Sequence, residues 1–505
     1  MKTMKTLLRT LAPALLAALV LAPAGGAVPP TPDDIRYPKF TYQPPSPKEY
    51  RTVLKSGPVA YVAEDRELPL VSITVTLRGG TYLSPAGKEG LAELAGYLLA
   101  RGGTASKTAE QLEERLAFLA AQLGSSYGAD RGSVTLNLLA KDLDEGLAIL
   151  REVLTAPRFQ DDKLKLRKDQ LLNDMKSRND DTADIEQRER GFLAWGDGYY
   201  TNRYTTKASL EAITRDDLVA FHRKWVDPRN VVVAASGDFG KGVTREKMIA
   251  KLDTLFAKWP YRGEAAPPVP KPAHAMAPGL YVVDKDVNQG RVSVMLPGLD
   301  RNDPDWFPAL VLNDVLGGGG FTSRITSRVR SDEGLAYDAG SVLAGGTWFP
   351  GVFRASFQSK VRTCAFATQI VLEEMKRIRD ADVTDEELET SKRSFVDTLS
   401  RNFATKGQTM GVLLDEEFIG RYARDPEFWR GYAARIEKVT KSDVKRVAQR
   451  LLATDKVSVL VVGKKDDLLN PDPKHPVKFA DLTGGKSTDV PLRDPFTMQP
   501  MPAKK

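Results

Sequence analysis

The chain repeats itself, and this repeat constrains its fold more than any other feature. A helical pattern that opens at Thr214 leads into an apolar strand pattern that ends at Gly237, and the same order recurs from Thr440 to Gly463. The displacement is 226 residues at both points. Each copy opens with a Thr that can cap a helix and carries an Asp three residues later, where the first turn favours negative charge. The sequence therefore predicts two similar units in tandem.

Each unit has the pattern of an α+β domain. Residues 70–77 and 290–296 alternate between apolar and polar positions and then reach a turn, which predicts a strand near the start of each unit. Long helical patterns follow, over residues 109–123, 144–154, 163–178 and 363–381. The predicted fold class is thus α+β, with two tandem α/β domains.

The N-terminus has the order of a secretory signal. Lysines and an arginine precede an apolar run over residues 11–21, and small residues follow as far as residue 27. The apolar run is shorter than the roughly 20 residues that span a membrane, and no later stretch reaches that length. Residues 1–27 therefore predict export, and no membrane span is expected in the mature protein.

Proline-rich segments set the predicted domain boundaries. Residues 262–278 contain five prolines near the middle of the chain and are interpreted as an interdomain linker. After residue 467 the sequence again becomes rich in Pro, Lys, Asp and Gly, which predicts a loose tail. The predicted order is a signal (1–27), a proline-rich arm (28–48), an N-terminal domain (49–261), the linker, a C-terminal domain (279–467) and a tail (468–505).

Charge and cysteine content exclude several function classes. The formal net charge of +7 includes three basic residues of the signal, and the small excess that remains gives no reason to expect nucleic-acid binding. Cys364 is the single cysteine, so no internal disulfide can form, and its helical pattern favours a small buried hydrophobe over a nucleophile. The three histidines, His222, His274 and His475, are scattered, so they suggest no metal cluster.

The most distinctive stretch begins with four consecutive glycines, Gly317 to Gly320. Such a run is expected to leave a mobile or sterically open strip. No Gly-Lys-Ser/Thr follows, which argues against a phosphate-binding loop. The residues after it predict a helix that ends near Arg330, a turn at Gly334 and a strand that begins near Tyr337.

This order resembles the second domain of the insulinase/pitrilysin family of zinc metallopeptidases, which carries an Arg and a Tyr seven positions apart. Arg330 and Tyr337 have that spacing. The resemblance implies that Arg330 holds a peptide carbonyl and that Tyr337 steadies the tetrahedral oxyanion at a zinc centre in the other half or in another subunit. It also implies that Gly319 and Gly320 lie beside the substrate. The structural alternative is a salt-bridged Arg330 and a core Tyr337.

The first unit resembles the zinc-binding domain of the same family but lacks its ligands. Active members carry His-x-x-Glu-His in a helix that matches residues 90–104, and here those five positions are Glu93, two apolar residues, Gly96 and Tyr97. A zinc hydrolase takes two ligands from one helical turn and a third from elsewhere. By family analogy the third falls near Asp174, which is interpreted as a solvated or helix-pairing carboxylate. No metal site is expected in this chain.

The resemblance covers roughly residues 48–467 and implies that each unit is an antiparallel sheet backed by helices. It predicts the non-zinc subunit of an exported heterodimeric peptidase, with zinc in the partner subunit and unstructured peptides as substrates, held as an added strand on a sheet edge. The periplasm is the expected compartment, with an extracellular location as the alternative. A noncatalytic peptide-binding or complex-assembly protein derived from the family is the second hypothesis.

Overall fold

A computed structural model describes Thr31, residues 41–485 and residues 487–502. The predicted signal and most of the proline-rich arm lie outside the described residues. The chain divides into Met1–Gln43 and a second unit, Pro44–Lys505, which contains both predicted domains. Among the described residues, no helix combines the length and the apolar character that crossing a membrane requires.

The first half of the second unit is built on one six-stranded sheet. Its order is β1-β2-β6-β3-β5-β4, in which β2 and β6 run parallel and the other neighbours are antiparallel. The strands are β1 (Arg51–Val53), β2 (Val59–Glu64), β3 (Leu70–Arg78), β4 (Gln122–Tyr127), β5 (Arg131–Leu139) and β6 (Val231–Gly237). The helices are α1 (Leu91–Arg101), α2 (Ala109–Phe118), α3 (Leu143–Thr155), α4 (Asp161–Met175), α5 (Thr182–Trp195), α6 (Lys207–Ala212), α7 (Arg215–Trp225) and α8 (Arg245–Phe256).

The second half repeats this plan. Its sheet has the order β12-β7-β11-β8-β10-β9, and β7 runs parallel to both of its neighbours. The strands are β7 (Gly279–Asp284), β8 (Gln289–Pro297), β9 (Ala336–Leu343), β10 (Val352–Lys360), β11 (Ser458–Gly463) and β12 (Ser487–Asp489). The helices are α9 (Trp306–Asn313), α10 (Arg324–Thr326), α11 (Cys364–Asp380), α12 (Asp385–Thr398), α13 (Lys406–Phe418), α14 (Arg421–Arg424), α15 (Tyr432–Glu437), α16 (Lys441–Leu451), α17 (Lys465–Leu469) and α18 (Phe479–Thr483), with π-helical stretches at Asp314–Gly318 and Ser327–Asp332.

The predicted α+β repeat is confirmed strand by strand. The order β2-β6-β3-β5-β4 corresponds to β7-β11-β8-β10-β9, and Thr214 and Thr440 each cap a helix with a reciprocal capping box. One detail differs from the expected antiparallel sheet. Strands β6 and β11 pair in parallel with β2 and β7, respectively, because the long segment that connects the two strands of each pair returns the chain to the same end of the sheet.

The two halves exchange one helix each. Helix α5 belongs to the first half but packs its Ile185 on the sheet of the second half, against Met295 and Leu460. Helix α13 belongs to the second half but covers the sheet of the first half with Met410, Leu413 and Leu414. Each sheet therefore has an apolar face that is covered by a helix of the other half. Burial of that face depends on both halves.

Buried polar contacts fix the exchanged helices in register. Near the end of α13, Glu417 accepts hydrogen bonds from the Tyr61 hydroxyl at 2.9 Å and from the Arg51 guanidinium at 2.9 and 3.0 Å. In α5, the buried Glu186 accepts a 2.6 Å hydrogen bond from the Ser293 hydroxyl in the opposite sheet. A buried carboxylate is tolerated only when it is paired or hydrogen-bonded, so these contacts oppose sliding of either helix.

Within the predicted tail, residues 487–502 contact other parts of the chain. Strand β12 extends the second sheet, and Arg493 donates to the carboxylate of Glu189, which is 1% exposed, at 3.2 Å. Composition could not reveal this segment's role because its partners are distant in sequence. The proline-rich residues 262–278 contain no helix or strand and lie along the first half, where Pro267 and Pro270 carbonyls accept hydrogen bonds from tyrosines.

The buried His222 predicts a pH dependence of stability. Its Nε2 lies 3.0 Å from the Leu154 carbonyl, and burial lowers its pKa from 6.5 to about 4. Between these values the unfolded chain binds a proton that the folded chain does not, so stability is lost as pH falls. We expect His222 to account for about 2 kcal/mol of the loss in free energy of unfolding between pH 7 and pH 5. Urea unfolding at both pH values should show that His222→Gln reduces this loss, whereas His475→Gln does not; an unchanged loss in His222→Gln would contradict the assignment.

Candidate functional site

Arg330 lies against two aromatic rings and forms what we call the Arg330 cluster, consisting of Phe321, Arg330 and Tyr337. The guanidinium carbon is 4.4 Å from the centre of the Phe321 ring and 4.5 Å from that of Tyr337. Both rings are solvent-accessible, with Phe321 68% and Tyr337 84% exposed. Cation–π contacts of this kind orient a guanidinium without consuming its N–H donors.

Local backbone geometry brings Arg330 and Tyr337 together. The π-helix Ser327–Asp332 ends, Gly334 adopts a positive φ of 62°, and the Leu335 N–H returns to the Val329 carbonyl at 2.9 Å. A left-handed residue is needed for this reversal, which suits glycine. The strand β9 then begins at Ala336, so residues seven positions apart face each other. The predicted turn at Gly334 and the strand near Tyr337 are thus confirmed.

The neighbouring arginines show what a structural arginine looks like in this region. Arg324 makes a bidentate pair with Glu387 at 2.6 and 2.8 Å, and Arg328 contacts Glu373 and Glu374 at 2.9 and 3.0 Å. Arg330, by contrast, has no carboxylate or other hydrogen-bond acceptor among the residues that the structure describes. Its donors are therefore available to a ligand, and neither the salt bridge nor the core tyrosine of the structural alternative is present there.

The glycine run is packed rather than open, contrary to expectation. A Cβ on Gly317 would lie 2.4 Å from the Ser341 amide nitrogen in β9, and one on Gly319 would lie 2.8 Å from the Asp314 carbonyl oxygen. Glycine is required at these positions because the backbone approaches so closely. Gly320 is the exception, with open space around it and a φ of 63°. It immediately precedes Phe321, whose ring contacts Arg330.

The first half has no room for the catalytic glutamate of a zinc motif. Gly96 lies in α1 against the edge strand β4, where an added Cβ would be 2.3 Å from the Tyr127 nitrogen. The Ser125 hydroxyl bridges the helix, donating to the Gly96 carbonyl at 2.5 Å and accepting from the Ala100 N–H at 2.9 Å. Gly96 and Gly317 are 221 residues apart, as are the first residues of β5 and β10, and both glycines contact an edge strand. The first half therefore has the same helix-to-strand packing as the second.

The other degenerate positions also fail to fit a zinc ion. Glu93 accepts a 3.1 Å hydrogen bond from Thr205, and the surrounding cleft raises the pKa of its carboxyl by removing water. The Arg167 guanidinium carbon lies 4.3 Å from the centre of the Tyr97 ring. Asp174 is exposed near the end of α4. Across residues 41–485 and 487–502, no group of three or more His, Cys, Asp or Glu could hold a metal ion. A lone carboxylate beside a stacked cation cannot replace two imidazoles.

Sequence reasoning missed two residues at these places. Phe321 could have been considered from the sequence, because it lies in a connecting segment directly after the glycine run and such segments often carry binding residues. Arg167 gave no local signal, since it is 70 residues from Tyr97 along the chain and meets it only through packing of α4 on α1.

Comparison with known proteins agrees with this architecture. Residues 60–195 match the family model for insulinase (peptidase family M16), and residues 212–395 match that for the peptidase M16 inactive domain. The chain is 23% identical to an uncharacterized zinc protease of Streptomyces coelicolor over 373 residues, covering 72% of this chain and 79% of the relative. It is 27% identical to the non-peptidase homolog YmxG of Helicobacter pylori over 340 residues, covering 66% and 76%.

Solved structures show the same fold. The crystal structure of a peptidase M16 inactive domain from Pseudomonas fluorescens superposes with a TM-score of 0.70 at 23% identity and covers 82% of this chain and 97% of that one. Together with the two matching family models, which span both repeats, this similarity accounts for the paired sheets. The chain belongs to the insulinase family, peptidase family M16, and contains the inactive domain of that family.

Proposed function

We propose that this chain is the non-zinc subunit of an exported insulinase-family peptidase and that it completes the active site of a zinc-bearing partner subunit. The observation that carries the proposal is the Arg330 guanidinium, which is oriented by two rings and has no acceptor among the described residues. An arginine that is oriented but has no acceptor can donate hydrogen bonds to a carbonyl or carboxylate of a bound ligand. Arg324 and Arg328, in the same segment, are paired with carboxylates instead.

The chemistry assigned to the pair follows from the two side chains. The planar guanidinium of Arg330 can donate to a peptide carbonyl, while the exposed phenol of Tyr337 is a neutral donor for an oxyanion. Because this chain offers no zinc ligands at Glu93, Gly96 and Tyr97, we assign zinc to the partner subunit. There the metal would supply the Lewis acid and the activated water. The substrates are expected to be unstructured peptides bound in an extended form.

The second candidate is a noncatalytic peptide-binding or complex-assembly protein. It is favoured by the close packing at Gly96, which makes loss of the zinc site part of the fold, and by similarity to a protein named as a non-peptidase homolog. The two candidates differ in one property. Only the first requires that Arg330 and Tyr337 contribute to a reaction rate.

Reconstitution distinguishes the two candidates. Cleavage of an unstructured peptide mixture is measured with this chain, with an insulinase-family protein of the same organism that carries His-x-x-Glu-His, and with both together, each with and without a chelator. We expect chelator-sensitive cleavage in the mixture that exceeds the sum of the separate rates. Activity of this chain alone would contradict the proposal, and a mixture no faster than the partner alone would favour the binding protein.

The proposed export has its own test. The protein should be recovered from the periplasmic fraction with its N-terminus near residue 28.

A further inference from the structure

A groove of about 580 Å³ opens in the first half, away from the Arg330 cluster. It lies between α1, α2 and α4 and beside the start of β4, and its apolar surface includes Leu98, Leu116 and Leu123. Three cationic side chains line the same space, namely Arg101, Lys163 and Arg167. A concave site with an apolar surface and a few charged groups is the usual form of a ligand site.

The charges at this groove are unevenly satisfied. Lys163 pairs with Glu110 at 2.7 Å. Arg101 and Arg167 have no ion pair in the part of the chain that the structure describes, although both guanidinium carbons approach the Tyr97 ring, at 4.6 and 4.3 Å from its centre. These distances place the two carbons within about 9 Å of each other, comparable to the screening length at physiological salt. A carboxylate placed near both would relieve their repulsion.

Two nearby acids do not neutralise this pair. Burial raises the pKa of Glu93, and the nearby positive charge of Arg167 partly opposes this rise. The Glu93 carboxylate nevertheless accepts its hydrogen bond from Thr205 and not from Arg167. Glu113 lines the groove without an ion pair to either arginine among the described residues. Among the described residues, the Arg167 guanidinium donates one hydrogen bond, to the amide oxygen of Gln170 at 3.2 Å. Neither Arg101 nor Arg167 therefore makes an ion pair within residues 41–485 and 487–502, so both guanidiniums can pair with a ligand carboxylate.

The groove also adjoins a free strand edge. β4 is the outermost strand of its sheet and pairs only with β5 within residues 41–485 and 487–502. Its first residues, Gln122 and Leu123, line the groove. An unpaired edge offers backbone donors and acceptors to an extended segment, and side chains of that segment alternate between its two faces.

We propose that this groove binds an extended acidic peptide segment, with one Asp or Glu side chain between Arg101 and Arg167 and an apolar neighbour over Leu98, Leu116 and Leu123. The Tyr97 ring and the two guanidiniums against it, at a position of the absent zinc motif, thus form a carboxylate site. The inference rests on the proposed peptide function and names the class of peptide, but its test is separate, because binding to this chain alone requires neither Arg330 and Tyr337 nor a partner subunit.

The test measures peptide binding by fluorescence anisotropy with the full-length mature chain and no partner. Labelled, C-terminally amidated peptides of one apolar sequence carry Glu, Gln or Lys at one internal position, and a further Gln peptide keeps a free C-terminal carboxylate. We expect the internal Glu peptide to bind about tenfold more tightly than its amidated Gln counterpart, in line with a charge-assisted hydrogen bond, and this preference to shrink at high salt.

Variants locate the preference. In the double variant Arg101→Gln/Arg167→Gln, the affinity for the Glu peptide should fall to the affinity for the Gln peptide. The single variant Arg101→Gln should lose part of the preference. Because Arg101 is exposed, this variant gives a result even if the double variant does not fold. Arg393→Gln is the control with the charge change of a single substitution, because Arg393 is on α12 in the other half and pairs with Glu389 one turn away. Equal binding of the Glu and Gln peptides would overturn the proposal. So would a Glu preference that survives both arginine substitutions, or tightest binding by the free-carboxylate Gln peptide, which would assign the site to chain termini.

Discussion

Replacing Arg330 with Ala should lower the kcat/KM of the reconstituted peptidase by about 10²–10³-fold while leaving subunit association intact. The guanidinium makes no ion pair with the described residues, so its removal should cost little stability. The effect should fall on binding of the substrate carbonyl. Arg330→Lys should recover only part of the rate, since an ammonium keeps the charge but loses the planar fork and most of its stacking on Phe321 and Tyr337.

The companion substitution Tyr337→Phe separates two roles of the tyrosine. It keeps the ring against Arg330 and removes only the hydroxyl, so we expect a fall in kcat with little change in KM if the phenol stabilises the transition state. Arg377→Ala serves as the control, because that arginine is a largely exposed residue on α11 in the same half. Wild-type rates in both Arg330→Ala and Tyr337→Phe, with association shown by size-exclusion chromatography, would refute the catalytic role and leave the binding-protein alternative.

Restoring the zinc motif should fail, and it should damage the fold. Glu93→His, Gly96→Glu and Tyr97→His together recreate His-x-x-Glu-His, yet any side chain at position 96 must displace the β4 backbone from 2.3 Å. Strand backbone held in a sheet cannot retreat as a flexible side chain would. We expect Gly96→Ala alone to cost at least about 1–3 kcal/mol in free energy of unfolding, and the triple variant more, with no stoichiometric zinc bound.

A second helical glycine provides the comparison for this prediction. Gly411 lies within α13, has no neighbouring atom near the place a Cβ would occupy and has no positive φ. Gly411→Ala should therefore be neutral or stabilising by up to about 1 kcal/mol, because alanine restricts the unfolded chain and favours helix. Chemical denaturation of both variants and metal analysis of the triple variant give the answer. Equal stabilities of Gly96→Ala and wild type would show that α1 can move away from β4, and bound zinc in the triple variant would show that the site is only dormant.

The sequence predicts those parts of this molecule that have local or periodic signals. The 226-residue displacement reveals the repeat because each copy must form the same capped helix and buried strand. The spacing of Arg330 and Tyr337 indicates their proximity because a short reversal joins them. The tail has no such signal: Arg493 reaches Glu189 across 304 positions, and a composition rich in proline and charge conceals a buried pair.

The assignment of helices to sheets lies further beyond sequence reasoning. The buried side of α5 carries Glu186, Arg188 and Glu189 beside Ile185, so the sequence gives no clear apolar face, and nothing local to α5 shows that it packs on β8 and β11. The close approach at Gly96 has the same character. A glycine in a helix pattern lowers confidence in the helix, whereas here it permits contact with β4, and that contact is visible only in three dimensions.

The helix exchange between the halves limits which deletions this fold can tolerate during evolution. A unit that has lost its metal ligands is ordinarily dispensable, and deletions would be expected to erode it. Here the first half supplies α5, which covers the sheet of the second half, and the second half supplies α13 in return. Deleting the ligand-free half would strip the sheet from which Tyr337 projects of one of its covers. Substitutions on the surface of the first half, outside the proposed peptide groove, are therefore less constrained than substitutions in the framework that holds α5 on the second sheet.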